Sequence, residues 1–484
     1  MSALPDRDFR AAALTGPRPF FKQSRLRPLL CITLSVGLAA CASVPDFDQM
    51  FDKAAETAPN TGIVGMRGPL TAKQSKAVLA RLGLEPGDAG LLQRHLAIEQ
   101  AVAESPLVAG NRTHVLRDGT QSFRAMFAAM QGAKHHINLE YYILEDVESD
   151  GMHLGDLLVA KRQAGVAVNV IYDSYGSGDT PAAFFDRLKQ AGVNIVEFNP
   201  VNPLDAKTGY SLNDRDHRKI LVVDGATAIV GGVNLSKTYQ SHPFGKSGAP
   251  EGTPEEYWRD TDLAIDGPAV APLQQLFLDH WAAQKGPPLA DAEFFPLVPP
   301  QGNAVVRIIG STPDKAIPRY YVTLLSAIRN AEKSVYLSAA YFVPTEQELA
   351  DLTDAARRGI DVRLLLPDKS DSETSIAIAH GHYAELLKAG VRIYETHGLV
   401  LHSKTVVIDG VWSVIGSSNF DQRSVLFNDE VDAVVLGSET ALELQQMFES
   451  DQQKAQEVDR KMVVDRPFFE KIKGAIARFW QNLL

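Results

Sequence analysis

Two stretches of this 484-residue chain repeat one pattern of chemically reactive residues. The pattern reads H-x-K-x4-D-x6-G-[GS]-x-N, with no insertion between its fixed positions in either copy. A single H-x-K-x4-D would be a weak signal, because all three residue types are common. Two copies with the same downstream offsets indicate a duplicated site. Its members are His217, Lys219, Asp224, Gly231, Gly232 and Asn234 in the first copy, and His402, Lys404, Asp409, Gly416, Ser417 and Asn419 in the second.

Each copy offers an imidazole, an ammonium group and an amide donor, a set that suits attack on a phosphodiester. The phosphodiester anion repels nucleophiles, and two lysines would neutralise it. One neutral imidazole can attack phosphorus and form a phosphohistidine, while a protonated second imidazole donates to the leaving alcohol. Imidazole has an ordinary pKa of about 6.5 and can fill both roles near neutral pH. The pattern predicts two-step chemistry without a metal or other cofactor. Its carriers are the histidines His217 and His402, the lysines Lys219 and Lys404, and the phosphate-binding Asn234 and Asn419.

Such a histidine needs a carboxylate that fixes its tautomer. Alignment of the two halves on a shared glycine places Asp260 opposite Glu430, and these are the predicted orienting residues. Asp224 and Asp409 belong to the motif and are counted among its catalytic residues. Each lies seven residues beyond its histidine and directly precedes a glycine, which favours a role in fixing a hairpin turn.

The elements that position these residues follow from periodicity. His217 and Lys219 alternate along an expected strand, so their side chains share one face. Strand and helix signals alternate from residue 113, and the second half repeats their order. The predicted fold class is therefore α/β, with two tandem domains related by a pseudo-twofold and the active site between them. Each domain is expected to be a mixed, mostly parallel sheet flanked by helices. In the first half the expected strands cover 137–143, 166–172 and 193–198, and the expected helices cover 154–164 and 182–191.

The composition of the chain predicts where its segments begin and end, and its net charge restricts the kinds of molecule that it can bind. Residues 1–40 carry six basic residues and an apolar run too short to span a bilayer comfortably, which predicts a cleaved signal peptide. Without them the net charge falls from −11 to −15, which disfavours binding of nucleic acid. With only two cysteines, one of them in this segment, neither a disulfide nor a Cys/His metal cluster is expected. The predicted organisation is a signal peptide (1–40), a tether and helical segment (41–110), a first domain (111–286), a linker (287–302) and a second domain ending in an amphipathic helix (303–484).

The doubled motif resembles that of the phospholipase D superfamily, and the similarity extends from about Ser105 onwards. Within the superfamily the chain looks most like the bacterial cardiolipin synthases. The resemblance implies two phospholipase D-like domains that transfer a phosphatidyl group from one phospholipid to a hydroxyl of another, or to water in a hydrolytic phospholipase D. It also implies that His217 is the nucleophile and His402 the acid and base. The closer likeness is carried by Ser105-Pro106-Leu107-Val108-Ala109-Gly110-Asn111, Trp258-Arg259-Asp260-Thr261-Asp262, Gly267-Pro268-Ala269-Val270 and Asn419-Phe420-Asp421-Gln422-Arg423-Ser424.

The N-terminus departs from typical cardiolipin synthases, which begin with two transmembrane helices. Leu38-Ala39-Ala40-Cys41 resembles a bacterial lipobox and implies lipidation of Cys41, with an ordinary signal peptide as the alternative. The chain is expected at the periplasmic face of the envelope, more at the outer than the inner membrane. It would act as a monomer on phosphatidylglycerol, cardiolipin or phosphatidylethanolamine. A metal-independent nuclease and a non-catalytic envelope lipoprotein stay open as alternatives.

Overall fold

The structure, a computed structural model, describes residues 62–82, 95–96, 99, 102–103, 105–201, 211, 213–240, 257–289, 293–313 and 317–466. By their contacts all of these residues belong to one compact unit. The predicted signal peptide, Cys41 and the amphipathic helix expected from Pro467 lie outside the described residues. Within the described ranges, every helix is too short or too polar to cross a bilayer.

Each repeat builds a sheet around seven corresponding strands, and short strands at Ile63–Gly65, Gly68–Pro69 and Gln456–Glu457 extend the sheets. The strands of the first are β1 (Leu107–Leu116), β2 (His136–Tyr141), β3 (Ala167–Asp173), β4 (Asn194–Phe198), β5 (Lys219–Val223), β6 (Thr227–Gly231) and β7 (Asp262–Asp266). Those of the second are β8 (Ala304–Ser311), β9 (Ser334–Ala339), β10 (Asp361–Pro367), β11 (Arg392–Thr396), β12 (Lys404–Ile408), β13 (Trp412–Gly416) and β14 (Asn428–Leu436). The spatial orders are β4-β3-β2-β5-β6-β7-β1 and β11-β10-β9-β12-β13-β14-β8. The two orders match strand for strand, which confirms the duplication of a whole domain.

Helices flank both sheets. Several begin at a side chain that caps the first turn: the Asp118 carboxylate accepts the Gln121 N–H at 2.8 Å, and Thr345 and Glu348 form a capping box. The helices are α1 (Ala72–Arg81), α2 (Gly119–Gly132), α3 (Leu154–Gln163), α4 (Ala182–Gln190), α5 (Val270–Ala283), α6 (Arg319–Asn330), α7 (Glu346–Arg357), α8 (Glu373–Ala389), α9 (Gln422–Leu426), α10 (Ser438–Gln452) and α11 (Arg460–Asp465).

The direction of the strands corrects one expectation. Two of the six pairings in each sheet are parallel and four are antiparallel, so the sheet is mixed but not mostly parallel. One antiparallel pairing follows from the tight turn between β5 and β6, where Asp224 and Gly225 both have positive φ, 51° and 60°. Such a short connection joins only antiparallel neighbours. The turn at Asp409 and Gly410 likewise makes β12 and β13 antiparallel neighbours.

The two sheets are joined through β1. Its first half pairs antiparallel with β8, where Val108 lies opposite Val306, and its second half pairs with β7. The expected boundary between residues 110 and 111 therefore falls inside a strand that both sheets share. A common apolar core lies between the repeats, with Ile220 and Val222 contributed by the first and Val407 by the second. Full burial of each such side chain contributes roughly 1.5–3 kcal/mol, which fixes the repeats against each other.

Candidate active site

Each motif histidine lies where its chain contacts the opposite repeat. The His217 N–H donates to the Asp429 carbonyl at 2.9 Å, and the His402 N–H donates to the Arg259 carbonyl at 2.8 Å. Two equivalent bridges therefore hold each imidazole beside a segment of the other repeat. The bridges are short parallel ladders, Arg215–Asp216 with Asn428–Asp429 and Val400–Leu401 with Trp258–Arg259.

The two carboxylates expected to orient the imidazoles lie against them, and they do so across the repeats. His217 Nδ1 lies 3.0 Å from Glu430 Oε2, a residue of the second repeat. His402 Nδ1 lies 2.7 Å from Asp260 Oδ2, a residue of the first. Both carboxylates are fully buried, and each lies on the Nδ1 side of its imidazole. Neither repeat alone holds both a motif histidine and the carboxylate that orients it.

The motif lysines lie beside the histidines of their own repeat. Lys219 Nζ donates to the His217 carbonyl and Lys404 Nζ to the His402 carbonyl, each at 2.6 Å. Lys404 Nζ is also within 3.2 Å of both ring nitrogens of His402. Burial, opposed by the Glu430 charge, lowers the pKa of Lys219 to about 7. Burial also lowers the pKa of Lys404. A phosphate anion that enters between the lysines would favour their charged forms.

The two half-sites differ in electrostatics. Burial and the charge of Lys219 hold the pKa of His217 well below its ordinary value. Burial and Lys404 also lower the pKa of His402, while Asp260 opposes that shift. Burial raises the pKa of Glu430 to about 7, against the opposing charge of Lys219. Burial would raise the pKa of Asp260 too, but Lys404 and His402 outweigh it, and the pKa lies below its ordinary value. His402 therefore has an ionised partner, whereas the partner of His217 titrates near neutral pH.

Both imidazoles line one cavity of about 380 Å³. Aromatic rings surround them, with centroid distances of 5.2 Å from Tyr142 to His217 and 4.9 Å from Trp258 to His402. This volume suits a phosphodiester and its alcohol headgroup. The other polar side chains along the wall are Arg215, Asn234, Thr238, Tyr239, Tyr341, Asp371, Ser372, Thr374, Ser375, Asn419, Asp421, Gln422, Arg423 and Asn428.

The motif asparagines and glycines shape the wall of this cavity. Asn234 Oδ1 accepts the Ile143 N–H at 3.2 Å, which leaves its amide nitrogen towards the cavity, 3.4 Å from a tyrosine hydroxyl. Asn419 lines the equivalent position. A Cβ on Gly232 would lie 2.1 Å from Asp260 Oδ1. Glycine is therefore required there for the orienting carboxylate to approach the backbone.

Asp224 and Asp409, like Lys219 and Lys404, are not among the residues that line the cavity, and both aspartates lie in hairpin turns. The Asp224 carboxylate accepts the backbone N–H groups of three consecutive residues, 134–136, at 2.8–2.9 Å. The Asp409 carboxylate accepts those of residues 332–334 at 2.7–2.9 Å. Each aspartate therefore ties the hairpin turn to the start of the neighbouring strand, β2 or β9, as its position before a glycine suggested.

One pair of site residues, Tyr239 and Ser424, was not predicted from the sequence. The Tyr239 hydroxyl lies 3.1 Å from His402 Nδ1, and the Ser424 hydroxyl donates to Glu430 Oε1 at 2.8 Å. Each stands five residues beyond its motif asparagine, so the offset was visible in the sequence. A single hydroxyl suggests no chemistry until its partner in the fold is known.

A buried charged cluster lies behind the site, on the opposite face of the strand that follows His217. Glu140, Asp216 and His280 place ligand atoms within 4.8 Å of one another, a spacing that a metal ion would accept. The Arg218 guanidinium already donates to Glu140 at 3.2 Å and supplies part of the positive charge. Arg218 and His280 also line a larger cavity of about 1030 Å³, which contains neither motif histidine, so we place the chemistry in the smaller cavity.

Comparisons with known proteins agree with this geometry. The family model described as "Cardiolipin synthase, PLD-like domain" matches residues 126–243 and 324–452, one stretch in each repeat. The cardiolipin synthase of Geobacillus kaustophilus is 34% identical over 415 residues, covering 85% of this chain and 79% of the relative. A probable cardiolipin synthase of Bacillus subtilis is 32% identical over 377 residues, covering 76% and 72%. The phosphatidylserine synthase of Haemophilus influenzae shares the fold, with a TM-score of 0.59 at 14% identity over 81% of this chain and 99% of that one.

Two repeated α/β sheets around a pair of cross-oriented histidines define an enzyme of the phospholipase D superfamily. Within it, the chain belongs to the cardiolipin synthase family with phospholipase D-like domains. It is a phosphatidyltransferase of that superfamily. The family, the α/β fold class with two tandem domains, and the enzyme class expected from the doubled motif are thereby confirmed.

Proposed function

We propose that the chain transfers a phosphatidyl group between phospholipids through a phosphohistidine on His217, as a cardiolipin synthase does. The observation that supports this most directly is that one cavity holds two imidazoles, each oriented through Nδ1 by a carboxylate of the other repeat. Such an arrangement presents two Nε2 atoms to one substrate, which is what attack and leaving-group protonation on opposite sides of phosphorus require.

In the first step, His217 Nε2 attacks phosphorus and the bond from phosphorus to the headgroup oxygen breaks. The proton on His402 Nε2 goes to that oxygen, so the headgroup leaves as a neutral alcohol. Lys219 and Lys404 stabilise the charge that develops on the phosphoryl oxygens. In the second step, neutral His402 takes a proton from the acceptor hydroxyl, whose oxygen attacks phosphorus and releases His217.

The unequal half-sites support this assignment of roles. A nucleophile must be neutral, and the pKa of His217 lies well below its ordinary value because of burial and Lys219. An acid must be protonated, and although burial and Lys404 lower the pKa of His402 as well, Asp260 opposes that shift and favours the imidazolium form. Glu430, with a pKa raised to about 7 by burial, gives His217 less of that support.

The experiment that tests this function is analysis of the products from labelled phosphatidylglycerol, with water, glycerol and a second phosphatidylglycerol competing as acceptors. Cardiolipin and free glycerol are expected from transfer, and phosphatidic acid from the hydrolytic alternative. Folded protein that forms neither product, and no phosphohistidine on His217, would refute the proposal. Metal-independent cleavage of plasmid DNA that is lost in His217→Ala would instead favour the nuclease alternative, which the net charge of −11 opposes.

We further propose that the mature chain begins at Cys41, carries lipid there and works as a monomer at the periplasmic face of the envelope, more at the outer than the inner membrane. The support is the lipobox-like Leu38-Ala39-Ala40-Cys41. A lipid chain would also offset repulsion between an acidic protein and an anionic bilayer. Cys41→Ser is expected to move the protein from the membrane fraction to the soluble fraction. An unchanged distribution, with no incorporation of labelled fatty acid into the unaltered protein, would contradict the proposal.

A further inference from the structure

The part of the cavity around His402 is where the leaving headgroup must lie, given the proposed function. In a displacement at phosphorus, the attacking and leaving atoms are roughly in line, on opposite sides of the phosphorus atom. With His217 as the nucleophile, the headgroup oxygen faces His402. The side chains that line the cavity beside His402 are therefore the ones that distinguish one headgroup from another.

One carboxylate at this end has no cation as a partner. Asp371 lines the cavity, and it accepts the Tyr341 hydroxyl at 2.7 and 2.9 Å and the Ser370 hydroxyl at 2.9 Å. Its side chain is exposed to solvent. In the part of the chain that the structure describes, no lysine, arginine or histidine nitrogen lies within 4 Å of it. The negative charge of Asp371 reaches the site, since it raises the pKa of His402 against the larger effects of burial and Lys404.

Two aromatic side chains line the cavity together with that carboxylate. The ring centroids of Trp258 and Tyr341 lie 4.9 and 5.8 Å from the His402 ring. A carboxylate and aromatic rings that line one cavity can together bind an ammonium group, through charge and through the ring quadrupole. Arg215 and Arg423 also line the cavity, together with Asp421, and the charge of Arg423 lowers the pKa of His217, so this cation acts on the other histidine.

We propose that Asp371, Tyr341 and Trp258 form a subsite for the primary-ammonium headgroup of a zwitterionic phospholipid. The phosphate would lie between the two lysines, and the ammonium group would lie at Asp371. A glycerol headgroup has no positive charge to offer this carboxylate. In the first step the ethanolamine oxygen leaves phosphorus, takes the proton of His402 and departs with its ammonium group, while phosphorus becomes bonded to His217.

The test compares Asp371→Asn with the unaltered protein on phosphatidylethanolamine and phosphatidylglycerol, each as short-chain lipid in the same detergent micelles. Release of ethanolamine and of glycerol gives kcat/KM for each donor. Removal of one charge-assisted contact is expected to lower the ethanolamine-to-glycerol ratio of kcat/KM by about tenfold or more. Glu373→Gln is the matched control, because it removes the same charge two residues away and does not line the cavity. It should leave the ratio unchanged.

The possible results distinguish failure of the ammonium subsite from failure of the proposed function. If Asp371→Asn lowers both kcat/KM values by the same factor, or leaves both unaltered, the ammonium subsite is refuted while the phosphatidyltransferase stands. A larger loss on phosphatidylglycerol would show that the carboxylate binds hydroxyl groups and would also overturn the proposal. If the unaltered protein releases neither headgroup, the proposed function itself fails. Tyr341→Phe, which keeps the ring and removes the hydroxyl that holds Asp371, is expected to lower the ratio by a smaller factor.

Discussion

Each orienting carboxylate contacts the motif histidine of the other repeat. Removal of its charge should therefore impair the reaction step that depends on that histidine. Asp260 accepts from His402 Nδ1 at 2.7 Å, and Glu430 lies 3.0 Å from His217 Nδ1. Asp260→Asn should therefore impair the acid and base, although Asp260 belongs to the same repeat as His217. Glu430→Gln should impair the nucleophile.

The expected loss of turnover in Asp260→Asn follows from the tautomer that His402 adopts beside an amide. At 2.7 Å the bond between His402 and Asp260 is in the range of charge-assisted hydrogen bonds, and the carboxylate is fully buried. An amide at this position can donate to Nδ1 and stabilise the wrong tautomer, in which Nε2 carries the proton when it should accept one. Loss of an orienting carboxylate in this way costs about 10⁴-fold in turnover. We expect a loss of that order for Asp260→Asn on natural phospholipids.

The assay uses a phosphatidyl ester of p-nitrophenol, whose anion leaves without being protonated. Asp260→Asn should then release one nitrophenolate per active site rapidly and turn over slowly afterwards, because His402 no longer activates the acceptor. The phosphoenzyme should accumulate, with the phosphoryl group on His217. Glu430→Gln should show no burst, since His217 itself is misoriented.

The opposite pattern would refute this reasoning. A burst that survives in Glu430→Gln and disappears in Asp260→Asn means either that the orientation is not crossed or that the histidines have exchanged roles. Mass spectrometry of the trapped phosphoenzyme separates the two, because a phosphoryl group on His402 leaves the crossing intact and reverses only the roles. Far-UV circular dichroism of both variants controls for loss of fold.

Two further predictions concern the hairpin turn and the lysine. Asp224→Asn should lower the free energy of unfolding by roughly 1–3 kcal/mol in urea titrations, because three backbone N–H groups lose a charged acceptor, while kcat per folded molecule stays the same. A large fall in kcat with unchanged stability would show instead that Asp224 takes part in catalysis. The value of kcat/KM should fall as pH rises through about 7, because Lys219 loses its proton and its positive charge above the pKa of about 7 to which burial lowers it. A profile that is flat from roughly pH 6 to 9 would contradict this.

The helices and strands could be predicted wherever the residues within and next to an element determine its structure. The helices expected over 154–164 and 182–191 occur as Leu154–Gln163 and Ala182–Gln190, because glycine follows each closely and ends it. The direction of the sheet could not be inferred from the alternation of strands and helices. It depends on hairpins such as the one at Asp224 and Gly225, which reverse the chain with no helix between the strands.

For the site, the sequence identified the residue types but not their pairing. Counting along two copies placed Asp260 opposite Glu430, yet it could not say which imidazole each would contact. That pairing depends on two ladders of two residues each between the repeats, too short to leave a pattern in the sequence. Asp371 and Tyr341 have no counterpart in the motif, so only the cavity reveals them as neighbours of His402.

Covalent linkage of the two repeats removes a restriction that symmetry would impose. In an assembly of two identical repeats, every substitution would appear twice, and both histidines would always share one environment. Here the corresponding positions carry different side chains, a phenol at Tyr239 beside His402 and a small hydroxyl at Ser424 beside Glu430. Because one chain carries both repeats, each half has its own side chains, and the two imidazoles can lie in different environments, as the unequal pKa values of their carboxylate partners indicate.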